Sequence, residues 1–138
     1  MYKKIFILAI IGVLIYSCSD SIIDSGKPGN LNNLQGYWIN GTYNDTIVTF
    51  ARATALANDQ FSFGFEANGK FLENANSGWC GTPPIAYTQY EGEWSVQDSV
   101  ISITVPYWGG MAHLKWKITT LNENHLSYYA IESNYEEN

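Results

Sequence analysis

This chain is poor in the residues that carry most recognisable chemistry: its 138 residues include two cysteines, two histidines, four prolines and seven lysines or arginines. Each scarcity excludes something. His113 and His125, with one distal thiol, fall short of the ligand clusters that hold a metal, so no metal site is expected. Seven basic residues face thirteen acidic ones, a net charge of −6. That balance argues against nucleic acid, whose binding rests on basic contacts to phosphate. It argues equally against an electrostatic grip on anionic lipid. Long apolar runs are also missing. The longest, residues 5–15, has eleven residues. As a helix it would measure about 17 Å against a hydrocarbon core of roughly 30 Å, too short to span. No motif for a cofactor stands out, and no catalytic constellation points to an enzyme.

The short apolar run has a specific setting. Lys3 and Lys4 precede it, and Tyr16-Ser17-Cys18 follows: a basic n-region, an apolar h-region and a small residue at a cleavage point. Leu14-Ile15-Tyr16-Ser17-Cys18 resembles the lipobox of bacterial lipoproteins, with a bulky Tyr16 as its one departure. The resemblance implies that residues 1–17 are a signal peptide cut off before Cys18, and that Cys18 carries acyl chains, palmitate among them, which anchor the protein to a membrane. In such lipoproteins an Asp after the cysteine is associated with retention at the inner membrane. Here Ser19 follows, so the implied address is the cell envelope at the outer membrane. Cleavage removes Lys3 and Lys4 and leaves five basic residues against thirteen acidic ones, a net charge of −8. Lipid is then the expected means of attachment. It also leaves Cys80 without an intrachain disulfide partner. Nothing in the spacing pairs Cys80 with a histidine base, so a buried or half-buried structural thiol is expected rather than a nucleophile.

Residues 18–33 read as the lipidated cysteine and a flexible linker. Ser19-Asp20-Ser21, Gly26-Lys27-Pro28-Gly29-Asn30 and Asn32-Asn33 are turn formers with little apolar patterning. From residue 34 to 138 the apolar period is two. Phe61, Phe63 and Phe65 share one face, and Asn68-Gly69, a strong hairpin signal, leads to Lys70-Phe71-Leu72. Tyr90, Gly92, Trp94 and Val96 alternate with Glu91, Glu93 and Ser95. Gln97-Asp98-Ser99 turns the chain into Ile101, Ile103 and Val105. Leu114, Trp116 and Ile118 alternate with Lys115 and Lys117, and Asn122-Glu123-Asn124 turns into Leu126, Tyr128 and Ala130. Residues 36–39 and 46–50 complete about eight short strands. Residues 51–57, rich in alanine, suit either a helical turn or a continued strand. Strands at this spacing predict an all-β domain, an antiparallel up-and-down barrel or alternatively a β-sandwich.

Leu34-Gln35-Gly36-Tyr37-Trp38 resembles the Gly-x-Trp opening of lipocalin-like domains. Phe63-x-Phe65-x-x-Asn68-Gly69-Lys70-Phe71, Tyr90-x-Gly92-x-Trp94-Ser95-Val96 and Ile101-x-Ile103 resemble the small lipocalin-like lipoproteins of bacteria. The resemblance covers most of residues 34–132 and implies a barrel that binds a small apolar or amphipathic ligand. A seven-residue strand rises only about 23 Å, so the barrel is short and any cavity small. Trp38 is expected to plug one end of it, as a core residue rather than a ligand contact.

Two segments interrupt the strands. Residues 74–84 carry Trp79 and Cys80; residues 106–110 carry Tyr107 and Trp108. Loops of this kind are often functional. If both lie at one end, Trp79, Tyr107 and Trp108 line a cavity mouth or form a platform for a sugar ring; otherwise they cap the core beneath their loops. Glu91 and Glu93 share a face opposite apolar residues, the ordinary solvent side of a strand. The expected partners are therefore a membrane, through Cys18, and a small apolar ligand. The alternative is an accessory module that contacts glycan or protein at the surface without an internal ligand.

Overall fold

Alternating side chains point to opposite faces of a strand, and each alternating segment is a strand in the computed structural model, which describes residues 30–138. The expected signal peptide, Cys18 and the expected linker up to residue 29 lie outside the described residues. Eight strands follow one another: β1 Gly36–Asn44, β2 Ile47–Ala53, β3 Ser62–Phe65, β4 Lys70–Asn76, β5 Tyr87–Gln97, β6 Val100–Tyr107, β7 Gly110–Leu121 and β8 His125–Glu137. They close into an antiparallel barrel, each running up or down against both neighbours. The barrel, not the sandwich, is therefore the architecture.

Strands β3 to β8 pair in sequence order, but the first hairpin is inserted reversed, so that β1 pairs with β3 and β2 with β8. The chain must then cross from one side of β1 to the other between β2 and β3. Residues 54–61 make this crossing. The alanine-rich segment continues β2 to Ala53 and then turns irregular, not helical. Polar outer-face groups hold it down: Asn74 Nδ2 donates to the carbonyls of Ala57 (2.7 Å) and Gln60 (3.0 Å), and the Ala57 amide donates to Ser62 Oγ (3.0 Å). These bonds explain why Ser62 and Asn74 are buried although they face away from the core.

The turns fall where glycine and Asx residues stand, with one difference. Asp98 (φ 49°) and Ser99 (φ 68°) supply the two positive-φ positions of a tight hairpin. At Asn68-Gly69 only Gly69 is in the left-handed region (φ 83°), and the link spans the four residues 66–69. The Gly69 amide donates to the Glu66 carbonyl and Asn68 Oδ1 accepts from the Lys70 amide, so asparagine caps the turn with its side chain instead of adopting the mirror-image backbone.

One end of the barrel is sealed. A 3₁₀ turn, Leu31–Leu34, precedes β1. Leu34 and Trp38 are fully buried. The Trp38 indole N–H donates to the Leu34 carbonyl at 3.0 Å. Arg52 lies over the Trp38 ring at 4.3 Å. Its guanidinium donates to the carbonyls of Gln35, Asn33 and Glu123, which ties β2, the 3₁₀ turn and the β7–β8 turn into one lid. Above this plug the interior is aromatic. Phe63 sits at its centre, 4.7 Å from Phe50, 5.1 Å from Trp116 and 5.5 Å from Phe65 between ring centroids. Trp116 and Tyr128 stack at 4.2 Å. With eight strands the interior is about wide enough for side chains to fill.

The opposite end is splayed. Pairing of β5 with β6 stops at Glu93 and Thr104, although β5 begins at Tyr87 and β6 runs on to Tyr107. Pairing of β2 with β8 stops at Val48 and Tyr128, whereas β8 continues to Glu137 against β7 alone. Gly92 marks the divergence: a Cβ there would lie 2.2 Å from the Thr104 carbonyl oxygen, so only glycine lets β6 cross so close over β5. Beyond it, β6, β7 and β8 rise as one wall and β4 with β5 as another.

Candidate functional site

The mouth between those walls holds a cavity of about 300 Å³. Phe61 and Trp116 form its floor with the rest of the aromatic core below. Val105, Tyr107, Ala112 and Leu114 come from β6 and β7, Ser133 and Tyr135 from β8, and Glu73 and Ala75 from β4. Tyr107 meets Tyr135 edge to face at 5.3 Å and Trp108 likewise at 5.7 Å, so the rim is an aromatic arc. Trp108 is half exposed. At about 30 Å³ per water the space equals roughly ten water molecules. That lies at the small end of ligand pockets, which run from roughly 300 Å³ upward.

One charged side chain faces this cavity. Glu73 continues the inward alternation of β4 after Phe71, and its register partners are Phe63 on β3 and Tyr90 on β5. It is only 8 % exposed. No hydrogen bond or ion pair with another described residue engages its carboxyl group, and burial alone pushes that group up to about 7. Its field reaches the surrounding phenols. Tyr90 and Tyr135 are each raised first by burial and second by Glu73. Tyr128 is raised first by burial, with Glu73 a smaller contributor. Among the described residues, no lysine, arginine or histidine lines the cavity. The basic residues of this wall face outward: Lys115 pairs with Glu132 at 2.5 Å, and His113 Nε2 lies 3.6 Å from Glu136.

The residues singled out by sequence divide here. The loop carrying Trp79 and the turn carrying Trp108 stand at the same, open end. Tyr107 and Trp108 line the cavity. Trp79 does not; it is 81 % exposed, standing out from a loop whose base is pinned by Asn76, which accepts from the Gly78 amide and donates to the Cys80 carbonyl. Trp79 thus neither lines the mouth nor caps the core. Cys80, expected to be buried or half-buried, is exposed. The reason is local: residues 77–86 contain two glycines and the Pro83-Pro84 pair and bury little apolar surface. His125 opens β8 at the sealed end, across the barrel from Cys80. Glu91 and Glu93 face solvent, Glu91 in an ion pair with Lys70 at 2.9 Å.

Glu73 and Tyr135 are site residues that the sequence reading passed over. The signal for Glu73 was present: Phe71, Glu73 and Ala75 fall on one face, and an acidic residue on the core face of a strand is the anomaly that marks a site. Tyr135 was hidden in an acidic chain end that β8 in fact extends through to Glu137. Among the described residues, no group of three or more His, Cys, Asp or Glu is placed to hold a metal, and no helix is long and apolar enough to cross a membrane. Comparison with protein-family models, curated proteins and solved structures yields no match to this chain.

Proposed function

We propose that this protein is a lipoprotein of the cell envelope, tethered by acyl chains on Cys18 at the outer membrane, whose lipocalin-like barrel takes a small apolar or amphipathic ligand into its open mouth. The observation that carries the reading is the contrast between the two ends. One is plugged by Leu34 and Trp38 under Arg52. The other leaves a 300 Å³ aromatic-lined cavity. A barrel built only to be stable gains nothing from that opening, since an unfilled space forfeits packing.

Native mass spectrometry of the protein purified from its own membranes tests the ligand. A bound small molecule is expected, and it should be lost in Ala112→Trp, which fills the cavity. Both proteins at the mass of their own bare polypeptide, with no adduct on either, would refute it. The anchor has a separate test. Cys18→Ala should move the protein from the detergent phase to the aqueous phase of a cloud-point partition, because a chain of net charge −8 after cleavage has no electrostatic hold on anionic lipid.

A second reading, surface contact with a glycan or protein, is favoured by one observation. Trp79 is 81 % exposed beside the pinned base of its loop, where a free aromatic face suits stacking. Trp79→Ala should then abolish retention on immobilised envelope glycan while leaving the cavity ligand bound.

A further inference from the structure

The cavity ligand has a definable head group. We infer that the mouth recognises an organic ammonium ion, held between the carboxylate of Glu73 and the aromatic arc of Tyr107, Trp108 and Tyr135. This rests on the ligand-binding reading above and specifies the chemistry of that site.

Three features converge. Glu73 is only 8 % exposed and lines the cavity, its carboxyl oxygens keep a narrow access to the mouth, and no described residue neutralises it. A buried carboxylate without a partner is costly, and natural proteins keep one where something pairs with it. Among the described residues the lining supplies no cation, which leaves the place of a counter-charge to a ligand. The ring faces around the mouth are electron-rich, and a cluster of tyrosine and tryptophan beside a carboxylate is the arrangement that binds quaternary and protonated amines. Ring edges already packed at 5.3 and 5.7 Å hold that arc in place before a ligand arrives. The apolar floor of Trp116 and Phe61 takes the body of the molecule.

Among the described residues, the titratable groups that feel Glu73 are phenols, Tyr90 from β5 and Tyr128 and Tyr135 from β8, and Tyr107 from β6 lines the same cavity. None of them supplies a positive charge at neutral pH, and β3 presents only Phe63. A ligand anion would meet Glu73 uncompensated, whereas an ammonium ion keeps the carboxyl ionised. Binding of a permanent cation therefore strengthens as pH rises through about 7 and weakens on the acid side, where Glu73 holds its proton.

Phenyltrimethylammonium and its neutral carbon isostere tert-butylbenzene, each with about ten non-hydrogen atoms to match the room available, make a suitable probe pair. Quenching of Trp108 and Trp116 fluorescence in the full chain, checked by calorimetry, reads the binding. The cation should bind at least tenfold more tightly than the isostere at pH 8. Glu73→Gln should remove most of that preference and leave the isostere's affinity within twofold. Tyr107→Leu, which thins the arc without touching the carboxyl, should weaken the cation severalfold and spare the isostere. If both probes bind alike and Glu73→Gln changes neither, the ligand site stands and the ammonium inference falls. If neither probe binds and native mass spectra of the wild type and of Ala112→Trp both show no adduct, the ligand reading falls with it.

Discussion

The unpaired burial of Glu73 should be visible in the folding equilibrium without any ligand. Unfolded, its carboxyl titrates near 4.5; folded, burial pushes it up to about 7. The folded state thus binds the proton more tightly. Stability from this group is complete below pH 4.5, declines as pH rises, and is gone above about pH 7, where the folded protein carries a desolvated charge that the unfolded chain keeps in water. A difference of this size corresponds to about 3 kcal/mol, a large share of the roughly 5–15 kcal/mol that holds a domain of this size.

Glu73→Gln keeps the shape and removes the charge. The amide still has to be buried, so at pH 5, where wild-type Glu73 is largely protonated, the two proteins should differ by no more than about 1–2 kcal/mol. Between pH 5 and pH 8 the variant should gain on the wild type by about 2–3 kcal/mol. Urea unfolding followed by tryptophan fluorescence at both pH values gives the two differences. Subtracting one from the other cancels every titrating group the proteins share. Wild-type and variant curves that stay parallel across this range would show that Glu73 is solvated or paired when folded, and would remove the ground for a counter-charge in the ligand. Saturating the wild type with phenyltrimethylammonium at pH 8 should recover the lost stability, and the variant at the same ligand concentration should gain much less.

Other consequences are smaller in scope. Arg52→Met should lower stability by about 2 kcal/mol, because it removes both the stack over Trp38 and the fork that joins three backbone segments; thermal unfolding reads it, and Arg52→Lys should recover only part. Gly92→Ala should cost more than about 2 kcal/mol, since its Cβ would sit 2.2 Å from the Thr104 carbonyl oxygen; an unchanged melting temperature would show that β6 can shift aside. Cys80 should react with a maleimide in the native protein at nearly the rate of the denatured chain, because it is exposed.

Most of the barrel was readable as alternation because eight strands with one wet and one dry face leave that period in the sequence. What alternation does not carry is order around the barrel. Reversal of the first hairpin depends on residues 54–61, whose tie to the outer face is made by Ser62 and Asn74, polar residues that on a strand's outer face look like ordinary solvent-side positions. The same pattern was less informative where strands outrun their neighbours. β8 from Tyr129 onward pairs on one side only, so its residues are mostly exposed on both faces and the period fades into what looks like an acidic tail. Exposure of Cys80 was legible only in part: two glycines and Pro83-Pro84 mark residues 77–86 as a segment that buries little apolar surface, but what the loop folds against is not encoded there.

The division between the two ends explains why Tyr107 and Trp108 stood out as candidates while the signal for Glu73 was fainter. Aromatics in a turn announce themselves because they violate the local rule that turns are polar. Glu73 violates a rule only once its strand is known to reach Asn76, since a strand ending at Leu72 leaves it in a loop where an acid is unremarkable. Its meaning comes from its register between Phe63 and Tyr90, which places a carboxyl just above an aromatic floor. The Trp38 plug and the Arg52 lid supply the stability on which that placement draws: a barrel sealed and tied at one end can carry a buried, unpaired charge at the other. Weakening the lid should therefore make the pH dependence from Glu73 more damaging, and Arg52→Met should unfold at a lower urea concentration at pH 8 than at pH 5, a gap that Glu73→Gln in the same chain should close.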